Sequence, residues 1–220
     1  MIASELISDV IPPLKTSDTV QKVLERMADF KVDHLPIVNE EQFFGLLSEE
    51  DLIEISDHSS VVGSLSLSLI NPYVLENQHI YDVIKTFYEQ KVSVLPVLDA
   101  KMNYLGLIAI NSIVAYFANI TAVNSLGGII VLEINNRDNS LAHIAQIVES
   151  DNAQILSSYV DTQPNSTKLN ITIKVNKLDI TQIVASFLRY DYVVVATFNT
   201  TNNNNGNADR YDSLMNYLSF

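Results

Sequence analysis

The chain of 220 residues contains no cysteine and no tryptophan, and it has only six glycines and six prolines. Without cysteine there is no disulfide framework, no thiol nucleophile and no thiolate metal site. That absence is compatible with a reducing compartment, and we expect a cytoplasmic protein. The first residues, Met1 to Glu5, lack the basic and apolar blocks of a signal peptide. No apolar run approaches the roughly 20 residues of a membrane span, so we expect no membrane association.

Positive charge is also scarce. Lysine and arginine number 13 against 26 acidic residues, which gives a net charge of −13, and the cations are scattered along the chain. No basic stripe is available to neutralise phosphates, so we expect no nucleic-acid partner. A glycine-rich phosphate loop, a G-x-S-x-G turn and an H-E-x-x-H helix are all missing from the sequence. We therefore predict that the protein is not an enzyme.

What the chain does have is an internal repeat in its first half. At an offset of 60 residues, identical residues align, and after a one-residue insertion in a predicted hairpin loop the offset becomes 61. The aligned identities include Pro12 with Pro72, Val23 with Val83, Lys31-Val32 with Lys91-Val92, Leu35-Pro36 with Leu95-Pro96, and Gly45-Leu46 with Gly106-Leu107. An ordered set of matches with one loop-sized slip indicates a duplicated structural unit.

Each copy predicts the same elements. In the first copy an amphipathic helix over residues 18–31, capped by Ser17 or Asp18, precedes strands over 35–38 and 43–47 and a helix that starts near Ser48. The second copy predicts a helix over 78–91, strands over 95–98 and 104–109, and a helix from about Asn111.

Two motifs carry a resemblance to a known family. Val32-Asp33-His34-Leu35-Pro36-Ile37-Val38 is followed by Gly45-Leu46-Leu47-Ser48-Glu49-Glu50-Asp51-Leu52. Each unit resembles a CBS domain, and the tandem resembles a CBS pair, also called a Bateman module. The resemblance implies two repeats related by a pseudo-twofold axis, over residues 1–60 and 61–122. It also implies an adenosine-containing ligand bound in a cleft between the repeats.

The candidate ligand-binding residues are His34, Pro36, Gly45, Ser48 and Asp51. Gly45 would let a ligand approach the backbone, and Ser48 lies where a helix begins, among free N–H groups that favour an anion. The Asp51 carboxylate could accept hydrogen bonds from two ribose hydroxyls. A second interpretation stays open, because Ser48-x-x-Asp51 also resembles a capping box, in which the two residues satisfy each other's backbone N–H groups. His34 could contact the base of the ligand, or it could be a partly buried residue with no role in binding.

The second copy lacks these polar groups, because Ala109 stands where the first copy has Ser48 and Ser112 where it has Asp51. We therefore expect at most one nucleoside site. The candidate regulatory ligands are AMP, ADP, ATP and S-adenosylmethionine. Since few cations surround the motif, a nucleoside or monophosphate is favoured over a triphosphate.

Residues 126–199 predict the element order βαββαβ, which is the ferredoxin-like motif. The segments Ile129 to Ile134, Ser140 to Ala145 and Ile155 to Tyr159 resemble an ACT domain. That resemblance implies an amino-acid site at the turn Asp138-Asn139-Ser140, although Asn139 replaces the usual glycine. A dimerising domain without a ligand is the alternative, and His143 is expected on the helix surface.

The end of the chain comprises an Asn-rich linker over residues 200–209 and a predicted amphipathic helix over 210–220. In that helix Tyr211, Leu214, Met215 and Leu218 follow the spacing i, i+3, i+4, i+7, and they would dock on the same chain or on a twin subunit. The whole layout, an α+β fold, resembles the AcuB type of acetoin-utilisation proteins.

Two functional hypotheses follow from this layout. The first is a homodimeric ligand sensor that regulates a partner enzyme. The second is a ligand-free scaffold that serves dimerisation and assembly.

Overall fold

The computed structural model of the chain describes residues 1–135, 140–162 and 167–199. Two compact units divide it, one from Met1 to Tyr116 and the other from Phe117 onward. Asp138, Asn139, the Asn-rich linker and the predicted C-terminal helix lie outside the described residues. The domain limits at residues 60/61 and 122/126 stay predictions. Among the described residues, no helix has both the length and the apolar character that crossing a membrane requires.

The fold is α+β, as predicted, and it contains two repeats followed by a further sheet. The first repeat contains α1 (Val20–Phe30), β1 (His34–Asn39), β2 (Gln42–Ser48) and α2 (Glu50–Ile53). The second contains β3 (Val74–Leu75), α3 (Ile80–Gln90), β4 (Val94–Leu98), β5 (Tyr104–Ala109) and α4 (Ile110–Ile120). The remaining elements are β6 (Ile129–Asn135), α5 (Leu141–Ser150), β7 (Ile155–Thr162), β8 (Lys168–Val175), α6 (Thr181–Arg189) and β9 (Val193–Phe198).

The helices α1 and α3 have equivalent inner faces and equivalent ends. Val20, Val23 and Met27 of α1 are buried, as are their counterparts in α3. Each helix ends at a lysine in the left-handed conformation, Lys31 and Lys91, both with φ of 54°. The repeated Lys-Val pair is therefore the helix terminus followed by a core residue.

The cap of α1 differs from the prediction. Thr19, and neither Ser17 nor Asp18, accepts the capping hydrogen bond, from the N–H of Lys22. Asp18 is instead almost completely buried, with 5% of its surface exposed. Its carboxylate accepts hydrogen bonds from the Lys15 N–H, from Lys22 at 2.6 Å and from Arg26 at 3.3 Å. Burial alone would raise the pKa of Asp18, but these hydrogen bonds and charges outweigh it and lower the pKa.

The segment that leads into each repeat crosses the sheet of the other repeat. The Ser8 N–H donates to the Leu107 carbonyl in β5, and the Leu46 N–H in β2 donates to the Ile70 carbonyl. The crossings explain the paired glycines Gly45 and Gly106, with φ of 150° and 158°. A Cβ on Gly45 would lie 2.7 Å from the Leu69 Cβ, and one on Gly106 would collide with Ile7.

The helices that close the two repeats differ in length. Helix α2 has four residues and α4 has 11. After Ile53 the chain turns through Asp57, whose carboxylate accepts hydrogen bonds from the hydroxyls of Ser59 and Ser60. Polar turn residues thus end α2, whereas apolar and small residues continue α4.

The second unit has the predicted ferredoxin-like topology. Its antiparallel sheet has the strand order β7-β8-β6-β9. One face of the sheet packs against α5 and α6 through a core that includes Ile130, Leu132, Ile171, Ile183 and Phe187. The alternate side chains of each strand lie on the other face.

Candidate functional site

Three of the five predicted site residues lie together at one end of the first hairpin. His34 opens β1 and is directly opposite Ser48, the last residue of β2, in the antiparallel register. Asp51 follows in α2, and all three side chains are partly exposed. The fold thus places an imidazole, a hydroxyl and a carboxylate at a single edge.

Ser48 and Asp51 form a reciprocal pair. Asp51 Oδ2 accepts the Ser48 N–H at 3.1 Å and the Ser48 hydroxyl at 2.6 Å, and the Ser48 Oγ accepts the Asp51 N–H at 3.2 Å. This is the arrangement of a capping box. It uses the hydroxyl fully, but among the described residues Asp51 Oδ1 has no hydrogen-bond partner. Ser48 therefore orients a carboxylate that keeps one acceptor oxygen available.

His34 joins the first repeat to the second. Its Nδ1 accepts the Ser93 N–H at 3.3 Å, while the Ser93 Oγ accepts the N–H groups of Asp33 at 2.9 Å and His34 at 3.0 Å. An accepting Nδ1 assigns the proton of the neutral ring to Nε2. Burial lowers the pKa of His34, against the opposing effect of Asp33, Asp51 and Glu50. At neutral pH the ring presents Nε2–H as a donor, for which the described residues contain no acceptor.

Pro36 and Gly45 lie further along the same hairpin and are buried. The Pro36 carbonyl accepts the Leu14 N–H at 2.8 Å, which anchors the preceding chain to β1. The backbone of Gly45 faces Leu69 to Asn71 of the crossing segment. In this structure both residues contact the chain's own backbone, so the accessible part of the candidate site consists of His34, Ser48 and Asp51.

The electrostatic environment of the site is negative. Asp33, Glu50 and Asp51 are the groups whose charges act on His34. Over the part of the chain that the structure describes, no three His, Asp or Glu side chains converge in a way that could hold a metal ion. Ligands with negative charge would therefore meet repulsion here.

The equivalent edge of the second repeat is apolar. Val94 is opposite Ala109 in the β4–β5 register, where the first repeat has His34 opposite Ser48. Both side chains are buried, and Ser112 takes the place of the carboxylate. The loss of the Ser48 and Asp51 equivalents is as predicted from the sequence. The contact of Ser93 with His34 was not predicted, although the position of Ser93, 60 residues after Asp33, was an available signal.

A second candidate site lies in the second unit and includes Ser140, the one described residue of the turn predicted to bind an amino acid. A cavity of about 510 Å³ there is lined by Ser140, His143, Lys168, Glu133, Tyr190 and Tyr192, among others. Ser140 caps α5 by accepting the His143 N–H at 3.3 Å, and His143 Nδ1 lies 2.8 Å from the Tyr192 hydroxyl. Lys168 pairs with Glu133 at 2.5 Å. Burial raises the pKa of Tyr192, so its hydroxyl stays protonated at neutral pH.

The match to a known family falls within residues 3–119 of the chain. The family model of the CBS domain matches residues 3–58 and 63–119. A CBS domain pair/ACT domain protein from Thermotoga maritima is 24% identical, with a TM-score of 0.48, over 53% of this chain and 96% of that one.

Two further similar structures contain bound nucleotides. CBSX2 in complex with AMP is 22% identical, with a TM-score of 0.47, over 54% of this chain and 97% of that chain. The cytosolic domain of the Mg²⁺ channel MgtE in complex with ATP is 21% identical, with a TM-score of 0.44, over 52% and 48%.

Proposed function

Because the chain belongs to the CBS domain family, we propose that it is a regulatory protein that senses an adenosine-containing ligand at the edge formed by His34, Ser48 and Asp51. The observation that carries the proposal is Asp51 Oδ1, which has no hydrogen-bond partner among the described residues. Ser48 holds its carboxylate in place, next to the half-exposed ring of His34. A carboxylate oxygen accepts two hydroxyl hydrogens, which suits the 2′,3′-diol of a ribose. Each such charge-assisted hydrogen bond contributes roughly 1.5–3 kcal/mol.

The position of His34 gives binding a route to the rest of the unit. A ligand atom that accepts the Nε2–H contacts a ring whose Nδ1 is bonded to Ser93 of the second repeat. Binding then favours one packing of the repeats over another by the difference in affinity for the two packings. A regulated enzyme is the partner we propose to respond to this change, with the second unit as a further route for the signal.

The negative surroundings predict an order among the candidate ligands. Adenosine is neutral and S-adenosylmethionine has a net positive charge, so both should bind more tightly than AMP. AMP should bind more tightly than ADP and ATP, because each added phosphate charge is repelled by Asp33, Glu50 and Asp51. Magnesium neutralises phosphate charge, so adding it should reduce the differences in affinity among AMP, ADP and ATP.

The scaffold hypothesis has its own supporting observation. The Ser48 hydroxyl and the Nδ1 of His34 are already satisfied within the chain. Moreover, two cavities of the first unit, one beside Ile70 to Tyr73 and one beside Asn39 to Gln42, are lined by neither Ser48 nor Asp51. In this alternative the capping box stabilises α2, and the protein serves dimerisation and assembly without a ligand.

A thermal-shift panel separates the two hypotheses. The full chain is heated with adenosine, S-adenosylmethionine, AMP, ADP and ATP, each with and without magnesium. At about 100 times its dissociation constant a ligand stabilises the folded state by about 2.7 kcal/mol, which shifts the melting temperature by several degrees. Asp51→Asn, which should weaken binding at least tenfold, should reduce the shift to about half or less, whereas the matched control Asp57→Asn, at a carboxylate that also accepts serine hydroxyls, should keep it. No shift with any nucleoside would support the scaffold.

The amino-acid site at Asp138, Asn139 and Ser140 remains a proposal of lower rank. The observation in its favour is the cavity beside Ser140, whose lining includes the ion pair of Lys168 and Glu133, the two charge types that an amino-acid carboxylate and ammonium group would engage on replacing that pair. The same panel with the standard amino acids tests it, with Glu133→Gln as the variant that should lose the response. Homodimerisation and the AcuB-type layout are likewise proposals, and neither implies a role in acetoin metabolism.

A further inference from the structure

The sheet of the second unit has one face that α5 and α6 do not cover, and the polarity of its side chains changes from one side to the other. Across β7, β8, β6 and β9 the register aligns Ser157, Lys174, Ile129 and Phe198 in one row, and Tyr159, Thr172, Val131 and Ala196 in the next. Tyr159 and Phe198 are 55% and 59% exposed. Apolar side chains therefore dominate these two rows on the β6 and β9 side.

One end of this face is already covered by the chain. Residues 121–123, which follow α4, lie over the strands, because Lys174 Nζ donates to the carbonyls of Ala122 and Val123 and the Ser157 hydroxyl donates to the Thr121 carbonyl at 2.9 Å. A cavity of about 550 Å³ remains between this segment and the sheet. It is lined mainly by apolar atoms of residues that include Ile129, Val131 and Phe198. The open face is thus a groove, and residues 121–123 form one of its walls.

We propose that residues 210–220 of the same chain occupy this groove. The chain leaves β9 at Phe198, which itself lines the groove, so the linker to this segment starts at the surface that the segment would cover. The residues Tyr211, Leu214, Met215 and Leu218 lie at spacings that place them on one side of a helix. A helix this short is marginal alone, and it needs an apolar surface to pack against.

The length of the connection favours the same chain over a second copy. Residues 199–208 span up to roughly 33 Å when extended, and a four-stranded sheet is only about 15 Å wide. Every position in the groove is therefore within reach. A short flexible linker gives an effective concentration in the millimolar range, well above that of a second copy at micromolar protein.

Cysteine pairs test the placement, since the natural chain has no cysteine. Thr172→Cys in the groove is combined with Leu214→Cys in the full chain, and the formation of a disulfide is followed under mild oxidation. The control pair combines Leu214→Cys with Gln182→Cys, an exposed position on α6. We expect a cross-link within one chain to form at least ten times faster for the groove pair than for the control pair. Equal rates, or a cross-link between two chains, would overturn the proposal.

A second measurement does not depend on disulfide geometry. Leu214→Asp with Leu218→Asp should expose the groove and raise the fluorescence of an apolar dye such as ANS several-fold. The matched variant Ser213→Asp with Asn216→Asp adds the same charge on the opposite side of the predicted helix and should leave the dye signal unchanged. The same signal from both double variants would contradict the inference. The proposed adenosine site does not include this segment. A failure of the chain to bind adenosine would therefore leave the cross-linking and dye measurements unaffected.

Discussion

The two repeats share a backbone but differ at their corresponding edges. Both have an amphipathic helix that ends at a left-handed lysine, a hairpin with a glycine under the crossing segment, and a first hairpin strand that starts at the contact between repeats. At the ends of the hairpins, however, His34, Ser48 and Asp51 stand against Val94, Ala109 and Ser112. Duplication preserved what packing requires, and it left the polar groups free to differ.

The comparison assigns each motif to packing or to chemistry. Gly45 and the Lys-Val pair recur because both repeats need them for the same backbone geometry. Ser48, Asp51 and His34 occur once, and packing of the second repeat shows that the fold does not require them. Residues of the second kind are the ones we connect with function.

The shared glycines should give the largest effects. Gly45→Ala places a Cβ 2.7 Å from the Leu69 Cβ and 2.9 Å from Asn71 Oδ1, at a φ that favours glycine. We expect Gly45→Ala to lower the free energy of unfolding by about 2–4 kcal/mol, with a similar loss for Gly106→Ala. Urea denaturation measures it, with the exposed Asn111→Ala as control. Unequal losses would show that the repeats are not equivalent at this position.

A smaller loss of stability is expected at Asp18. Its carboxylate accepts the Lys15 N–H in the turn before α1, and the second repeat has the same turn with a different side chain. Gln78 takes its place in the second repeat and accepts the Leu75 N–H at 2.7 Å. Asp18→Asn leaves Lys22 and Arg26 without their carboxylate, and should cost about 1–3 kcal/mol at pH 7. Gln78→Ala should cost about 0.5–1.5 kcal/mol.

The Asp18 contribution also depends on pH. Since folding lowers the pKa of Asp18, this stability is present above the ordinary value of 3.8 and is lost as the pH falls through the folded value. Acid titration followed by circular dichroism should show the loss in the parent chain. Asp18→Asn should remove this part of the pH dependence, and an unchanged acid transition would contradict the assignment.

Transplanting the polar pair sharpens the contrast between the two edges. In Ala109→Ser with Ser112→Asp, the second repeat acquires the counterparts of Ser48 and Asp51, and α4 acquires a capping box. Capping should stabilise the chain by about 0.5–1 kcal/mol. Calorimetry should show the number of adenosine sites rise from one toward two. A stoichiometry that stays at one would mean that His34, absent from the second edge, is also required.

The smallest effect concerns His34. Burial lowers the pKa of His34 below the usual value of 6.5, so the unfolded chain binds more protons than the folded chain between the folded value and 6.5. Stability should therefore decline as the pH falls from neutrality through 6.5. In His34→Val, which copies Val94, that decline should weaken, and chemical denaturation at pH 7.5 and 5.5 measures the difference. Equal slopes would place the titrating group elsewhere.

Much of the fold was predictable because it depends on periodic patterns. The repeat, the βαββαβ order and the apolar faces all follow from spacing in the sequence. The cap of α1 was not predictable, since Ser17, Asp18 and Thr19 are all good capping residues and tertiary contacts decide among them. The crossing segments were missed because they are pairings between distant residues. The pairing of Ser48 with Asp51 was predictable from their spacing, whereas the burial of Pro36 and Gly45 depends on neighbours that local sequence does not reveal.

Calorimetric titration with adenosine measures whether the Asp51 carboxylate binds the ligand. The parent chain, Asp51→Asn and Ser112→Ala are compared at neutral pH and low salt. We expect one site in the parent chain, at least tenfold weaker binding in Asp51→Asn, which corresponds to about 1.4 kcal/mol, and unchanged binding in Ser112→Ala. Equal affinity in the parent chain and Asp51→Asn, or no binding by the parent chain, would contradict it.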